Sequence, residues 1–234
     1  MSMHDGHRQR LKARFLEEGL DHFDEKHALE LLLFYCVPRV DTSPLAFRLL
    51  EHFKSFDAVL DATQMELMEV PGVGENVAAF LSLLKSSWSY YGIVKNKKQK
   101  VLKTLEECAE YLQPYFVCKP VELVYMLCLD AKRKVLCCKL VGEGSVNSAS
   151  VSIRKIVETA INANATTVVL AHNHPSGLAV PSGEDVQTTQ RLIKALEAVE
   201  IVLAEHFVFA EGEFVSILQS RGYSFRNMLN IGEE

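Results

Sequence analysis

The twenty residues from Thr167 to Val186, TVVLAHNHPSGLAVPSGEDV, constrain the fold of this chain more than any other stretch. They begin with an apolar, β-branched run that predicts a strand ending in His172-Asn173-His174. Side chains two apart on a strand share a face, so both imidazoles can converge on one point while Asn173 turns away. A loop punctuated by Pro175, Gly177 and Pro181 follows, and Ser182-Gly183-Glu184-Asp185 opens the next helix. Because the loop returns the chain to the histidines, Asp185 in the first helical turn can set a carboxylate oxygen beside two ring nitrogens. The chain must therefore fold so that a strand end and a helix start meet.

Two imidazoles and one carboxylate without a thiolate suit a zinc ion, and three protein ligands leave one coordination position open, as catalytic zinc requires. Water at such a position has its pKa lowered toward roughly 7. A carboxylate close to the ion but outside its ligand set is the usual proton acceptor. Each piece alone has a plainer reading: histidines at a strand end can be polar surface, and S-x-x-D can simply cap a helix. Joined by the proline-bounded loop, they point to a metal. There is no HExxH helix and no H-x-E with PCxxC, which sets aside zincin proteases and nucleobase deaminases.

At 234 residues the chain is long enough for two compact units. From His7 to about Tyr91 apolar residues recur at helical spacing, interrupted by Pro38, Pro44 and Pro71, which predicts an all-helical domain over residues 1–91. The lysine-rich GIVKNKKQKVLKT, residues 92–104, has the composition of a solvated connector. A mixed α/β domain is expected over 105–226. There Glu122 to Asp130 and Lys134 to Val141 form a hairpin, and helices at Ile153 to Asn164 and Gly183 to Glu200 flank a strand at Thr166 to His172. Strands at Ile201 to Ala210 and Glu213 to Ile217 close the series. The helices should pack against one mostly antiparallel or mixed sheet.

Lys and Arg number 25 against 30 Asp and Glu, and neither half of the chain is basic, so a nucleic-acid role would need a local patch. No apolar run approaches the roughly 20 residues that span a bilayer, and the expectation is a soluble, cytoplasmic protein without a membrane partner. The six cysteines, Cys36, Cys108, Cys118, Cys128, Cys137 and Cys138, lie mostly in apolar runs without a CxxC pair and are expected to be reduced and buried. Val70-Pro71-Gly72-Val73-Gly74, followed by ENVAAFLSLL, looks like a helix-hairpin-helix turn, whose free N–H groups can hold a DNA phosphate. Glu66, Glu69 and Glu75 surround it, and the nearest following base is Lys85.

The spacing H-x-H, seven residues, S-x-x-D matches the JAMM signature of the JAB/MPN metalloprotease superfamily. More narrowly, AHNHPSG with PSGED resembles the bacterial RadC family, historically called DNA repair proteins. HRQRLKARFLEEGLDHF, ELLLFYCVPRVDTSPLAFRLL and VPGVGENVA are also similar to RadC chains, so the resemblance covers nearly the whole sequence. It implies a JAB/MPN (cytidine-deaminase-like) domain in which His172, His174 and Asp185 hold Zn2+, Ser182 helps polarise a scissile carbonyl, and Glu122 acts as general acid/base. The implied activity is hydrolysis of peptide or isopeptide bonds in a protein or peptide substrate. The alternative is a DNA-associated repair or recombination factor whose zinc domain is non-catalytic or directed at nucleic acid. His206 is either a contact behind a ligand or a core histidine. The chain departs from RadC-like sequences at SASVSIRKIV, where a His-Pro-Arg-Glu stretch is common and only Arg154 survives.

Overall fold

The computed structural model describes residues 3–96, 101–117, 119–144, 152–175 and 177–221. Cys118 and most of the SASVS stretch lie outside them, as do the lysines at 97, 98 and 100. The chain divides into two compact units, Met1–Trp88 and Ser89–Glu234. No helix among the described residues is long and apolar enough to cross a membrane.

The first unit is helical, as its periodicity predicts: α1 (Met3–Glu18), α2 (Glu25–Cys36), α3 (Ser43–Phe53), α4 (Phe56–Asp61), α5 (Gln64–Met68) and the start of α6 (Glu75–Asn96). Local chemistry sets the boundaries. Asp24 accepts the His27 N–H at the start of α2, Pro44 sits in the first turn of α3, and Thr63 and Glu66 close a reciprocal capping box on α5. The hairpin turn between α5 and α6 places Val70, Val73 and Val77 in the core with Leu29, Leu49 and Leu67. Gly72 takes φ +95, a left-handed conformation that the turn demands and glycine adopts without strain.

The helix α6 runs on to Asn96, so the first five residues expected as a connector are helical. Its last turns are tied within the second unit. Ser89 donates to the Pro114 carbonyl at 2.7 Å, and the Asn96 amide donates to the carbonyls of Glu110 and Tyr111 at 3.2 and 3.1 Å. Leu102 is fully buried, and its N–H bonds to Arg133, so this part of the stretch is also pinned rather than solvated.

The second unit continues with α7 (Leu105–Leu112), β1 (Leu123–Leu129), β2 (Val135–Glu143), α8 (Ile153–Asn162), β3 (Thr167–Asn173), α9 (Gly183–Glu197), β4 (Val202–Ala210) and β5 (Glu213–Ser216). The sheet order is β2-β1-β3-β4-β5, with β3 and β4 parallel and every other pair antiparallel, the mixed α/β arrangement expected. All residues of β3 are buried because both faces are covered, which explains why TVVLA reads as a continuous apolar run. Val169 and Ala171 pack with Cys108 and Leu112 of α7 on one face. Val168 and Leu170 pack with Ile156 of α8 and Leu192 and Leu196 of α9 on the other. His172 continues this second face toward the start of α9.

A register shift interrupts the β3–β4 ladder: Val168 pairs with Leu203, but Val169 pairs with Glu205, so Ala204 is the extra residue. The bulge inverts the alternation of β4. Leu203 packs on the α8/α9 face, and beyond the bulge Phe207 and Phe209 pack on the α7 face. The described cysteines, Cys36, Cys108, Cys128, Cys137 and Cys138, are all free; Cys108 and Cys128 are buried as expected, whereas Cys36, Cys137 and Cys138 are only partly buried.

Candidate metal centre

His172 is the sixth residue of β3 and His174 the first residue beyond it. Their side chains share one face, and the Nε2 atoms stand 3.1 Å apart. The loop from Pro175 to Pro181 carries the chain back to α9. It is held at Gly177, whose N–H bonds to the His174 carbonyl and whose φ is +86. A Cβ on Gly177 would fall 2.6 Å from the Glu211 carboxylate, so any other residue there would displace that side chain and strain the backbone.

Asp185 enters from the first turn of α9. Its Oδ1 lies 3.4 Å from His172 Nε2 and its Oδ2 lies 3.6 Å from His174 Nε2, with the carboxylate almost fully buried. The capping box fixes its orientation: the Ser182 N–H donates to Asp185 Oδ2 at 2.7 Å, and the Asp185 N–H donates to Ser182 Oγ at 3.1 Å. Capping and convergence on the histidines are thus the same arrangement rather than alternatives.

Glu122 immediately precedes β1. The antiparallel register pairs Val124 with His172, and continued by two residues it brings Glu122 opposite His174. Glu122, His172 and His174 each offer a ligand-type atom within 4.8 Å of the others, and Glu122 is half-buried. Two carboxylates therefore flank the same pair of imidazoles. Asn173, on the opposite face, secures the strap that carries Glu122. Its Oδ1 accepts the Leu123 N–H, and its amide donates to the carbonyls of Val121 at 3.1 Å and Lys119 at 3.5 Å. The alternation of the strand gave only that Asn173 turns away, not what it holds.

The donor atoms fit a metal ion. Ligands about 2.0–2.1 Å from a tetrahedral ion are roughly 3.3–3.4 Å from one another, close to the 3.1 Å between the two imidazole nitrogens, while Asp185 meets the rings with different oxygens, Oδ1 at 3.4 Å from His172 and Oδ2 at 3.6 Å from His174. His174 Nδ1 is 3.1 Å from the Leu178 carbonyl, which can only accept, so this nitrogen carries the proton and Nε2 presents a lone pair to the cluster.

Behind His172 lies His206 of β4, fully buried, with its Nε2 2.8 Å from His172 Nδ1. Burial, reinforced by the neighbouring His172, lowers its pKa well below the ordinary value and keeps the ring neutral. Arg154 is not gathered into this cluster: its side chain is exposed and paired with Glu158 one turn along α8, at 2.7 Å.

In the first unit, α3 brings a cation to the hairpin turn that sequence order does not reveal. Arg48 Nε donates to the Pro71 carbonyl at 2.9 Å, and its Nη2 lies 3.0 Å from where a Cβ of Gly72 would stand. Lys85 is paired with Asp61.

Comparison with known proteins places this geometry in context. The sequence profile of the RadC-like JAB domain matches residues 102–223. A UPF0758 protein of Fusobacterium nucleatum is 36% identical over 221 residues, covering 92% of this chain and 95% of the relative. A UPF0758 protein of Rhodobacter capsulatus is 34% identical, covering 88% and 96%, and one of Ruegeria pomeroyi is 32% identical, covering 93% and 96%.

Proposed function

Because this chain belongs to the RadC family, matched through its RadC-like JAB domain, we propose that it is a zinc-dependent hydrolase of peptide or isopeptide bonds acting on a protein or peptide substrate. The observation that carries this reading is the convergence of two imidazole Nε2 atoms and both Asp185 oxygens at 3.1–3.6 Å. His172, His174 and Asp185 are the zinc ligands. Asp185 takes this role rather than Glu122 because it is buried, clamped by its cap, and reaches both rings.

Zinc bound there supplies a Lewis acid that polarises a carbonyl and lowers the pKa of water. The chain's own residues do the rest. Glu122, entering from the start of β1, takes a proton from the attacking water at a carboxylate oxygen. As the water oxygen bonds to the carbonyl carbon and the C–N bond breaks, Glu122 returns that proton to the leaving amine nitrogen. Ser182 accepts the Asp185 N–H through a lone pair, and its O–H, which lies against the Asp185 carboxylate, would turn to the carbonyl oxygen as negative charge develops. Leu178 and Val180, apolar and exposed on the loop beside His174, are surfaces on which substrate side chains would rest.

The test is elemental analysis of protein purified without added metal, paired with assays on peptide and isopeptide-linked substrates with and without chelator. About one zinc per chain and chelator-sensitive cleavage support the reading. Metal-free protein that takes up no zinc on titration overturns it.

A second reading, in which the protein acts on DNA through its first unit, is favoured by one observation: Arg48 stands beside the Gly72 turn despite its acidic sequence neighbours. A guanidinium next to the turn that opens a helix is a phosphate-binding combination.

A further inference from the structure

The hydrogen bonds behind His172 form a chain whose direction is fixed by what each atom can do. It starts at the backbone carbonyl of Asp185, which can only accept. The Thr189 hydroxyl, one helical turn along α9, donates to that carbonyl at 2.6 Å. The hydroxyl has a single proton, so toward His206 Nδ1, 2.7 Å away, its oxygen is an acceptor and His206 Nδ1 carries the hydrogen. Both Thr189 and His206 are buried, and the second nitrogen of His206 faces only another imidazole. A neutral ring with hydrogen on Nδ1 has a lone pair on Nε2, so in the 2.8 Å contact His172 Nδ1 is the donor. His172 Nε2 is then left to face His174 and Asp185 as a lone pair.

We propose that Thr189 and His206 are positioning residues that hold His172 in the one tautomer able to ligate a metal, through a relay running from the Asp185 carbonyl through the Thr189 hydroxyl to His206 and His172. This rests on the reading of His172 as a ligand and adds what selects its ligating nitrogen. The relay also closes a ring: Asp185 contributes its carboxylate to the centre and, through its own carbonyl, sets the polarity of the histidine opposite. One helix turn therefore couples the capping box, the carboxylate and the imidazole. His174 needs no such device, because the Leu178 carbonyl fixes it directly. The relay reaches His172 only because the bulge at Ala204 turns His206 to the α9 face of the sheet.

The experiment uses the full chain with 15N-labelled histidine, and two-bond 1H–15N correlation spectra to assign the ring proton of His206, with zinc affinity measured separately by chelator competition. The expected result is a neutral His206 with its proton on Nδ1. Thr189→Val keeps the shape and removes the acceptor, so zinc should bind roughly 10–100-fold more weakly, while Thr189→Ser should stay near the parent. A proton on His206 Nε2 overturns the relay, as does parent-like zinc affinity in a folded Thr189→Val protein. If Thr189→Val does not fold, the tautomer of the parent decides alone. The two readings fail separately: a protein that shows the Nδ1 proton but takes up no zinc loses the zinc assignment and keeps the relay, whereas zinc binding with the proton on Nε2 does the reverse.

Discussion

The side-chain oxygen of Asn173 accepts the backbone N–H of Leu123 at 2.8 Å, joining the end of β3 to the start of β1 one residue after Glu122. With its two bonds to the carbonyls of Lys119 and Val121, this amide holds the strap from both sides. Asn173→Ala should lower unfolding stability by about 1–3 kcal/mol, since buried strap groups lose their partners. Zinc content should stay at the parent value while hydrolysis falls. Urea denaturation followed alongside elemental analysis checks this, and loss of zinc in the folded variant would count against the separation of the two roles.

His174→Ala removes one of the two ring nitrogens at the centre. Zinc content should drop from about one per chain to near zero in protein that keeps its helical and sheet signature by circular dichroism. If the variant binds zinc as fully as the parent, the ligand assignment is wrong.

Glu122→Gln keeps the size of the side chain and removes its basicity. The expected outcome is full zinc content with hydrolysis reduced roughly 10²–10⁴-fold. A fully active variant refutes the proton-transfer role.

The DNA reading makes its own prediction. Binding through phosphate contacts should weaken linearly in log affinity against log salt, and Arg48→Ala should reduce that slope by about one. Absence of binding to duplex or branched DNA at low salt removes this reading.

Burial pushes the Cys108 thiol up to about 12 from its ordinary value of 9, helped by the neighbouring Glu107 charge. A raised folded-state pKa means the stabilisation is fully present below pH 9 and is lost as pH rises from 9 toward 12, where only the unfolded chain releases the proton. Over that window the slope from this group approaches about 1.4 kcal/mol per pH unit. Alkaline denaturation of Cys108→Ala should be less steep than that of the parent. In the native protein at neutral pH, thiol reagents should leave Cys108 unlabelled until the second unit unfolds.

Much of the architecture was legible along the chain. The strand and the helix start around His172 and Asp185 come from short-range rules, alternation and capping, which act within a few residues and survive into the folded state. The connector was less legible: lysine-rich composition suggested solvation, but α6 continues to Asn96 because Ser89 and Asn96 find backbone partners more than a dozen residues downstream. Thr189 was visible in principle, since a hydroxyl four residues after Asp185 lies on the same helix face. No local signal gave Arg48, which reaches the Gly72 turn from another helix.

The order of residues settles which donor atoms this protein owns and the local geometry that can aim them: imidazoles two apart on a strand, and a carboxylate clamped into the first turn of a helix. What those atoms meet is set by the packing of the whole fold. The pairing of Val124 with His172 brings Glu122 to the histidines, and the extra residue at Ala204 turns His206 toward them. Propensity and periodicity are summed over neighbours in sequence, whereas register and bulges are settled by how a whole sheet buries its two faces, and a shift of one residue exchanges every side chain from one face to the other.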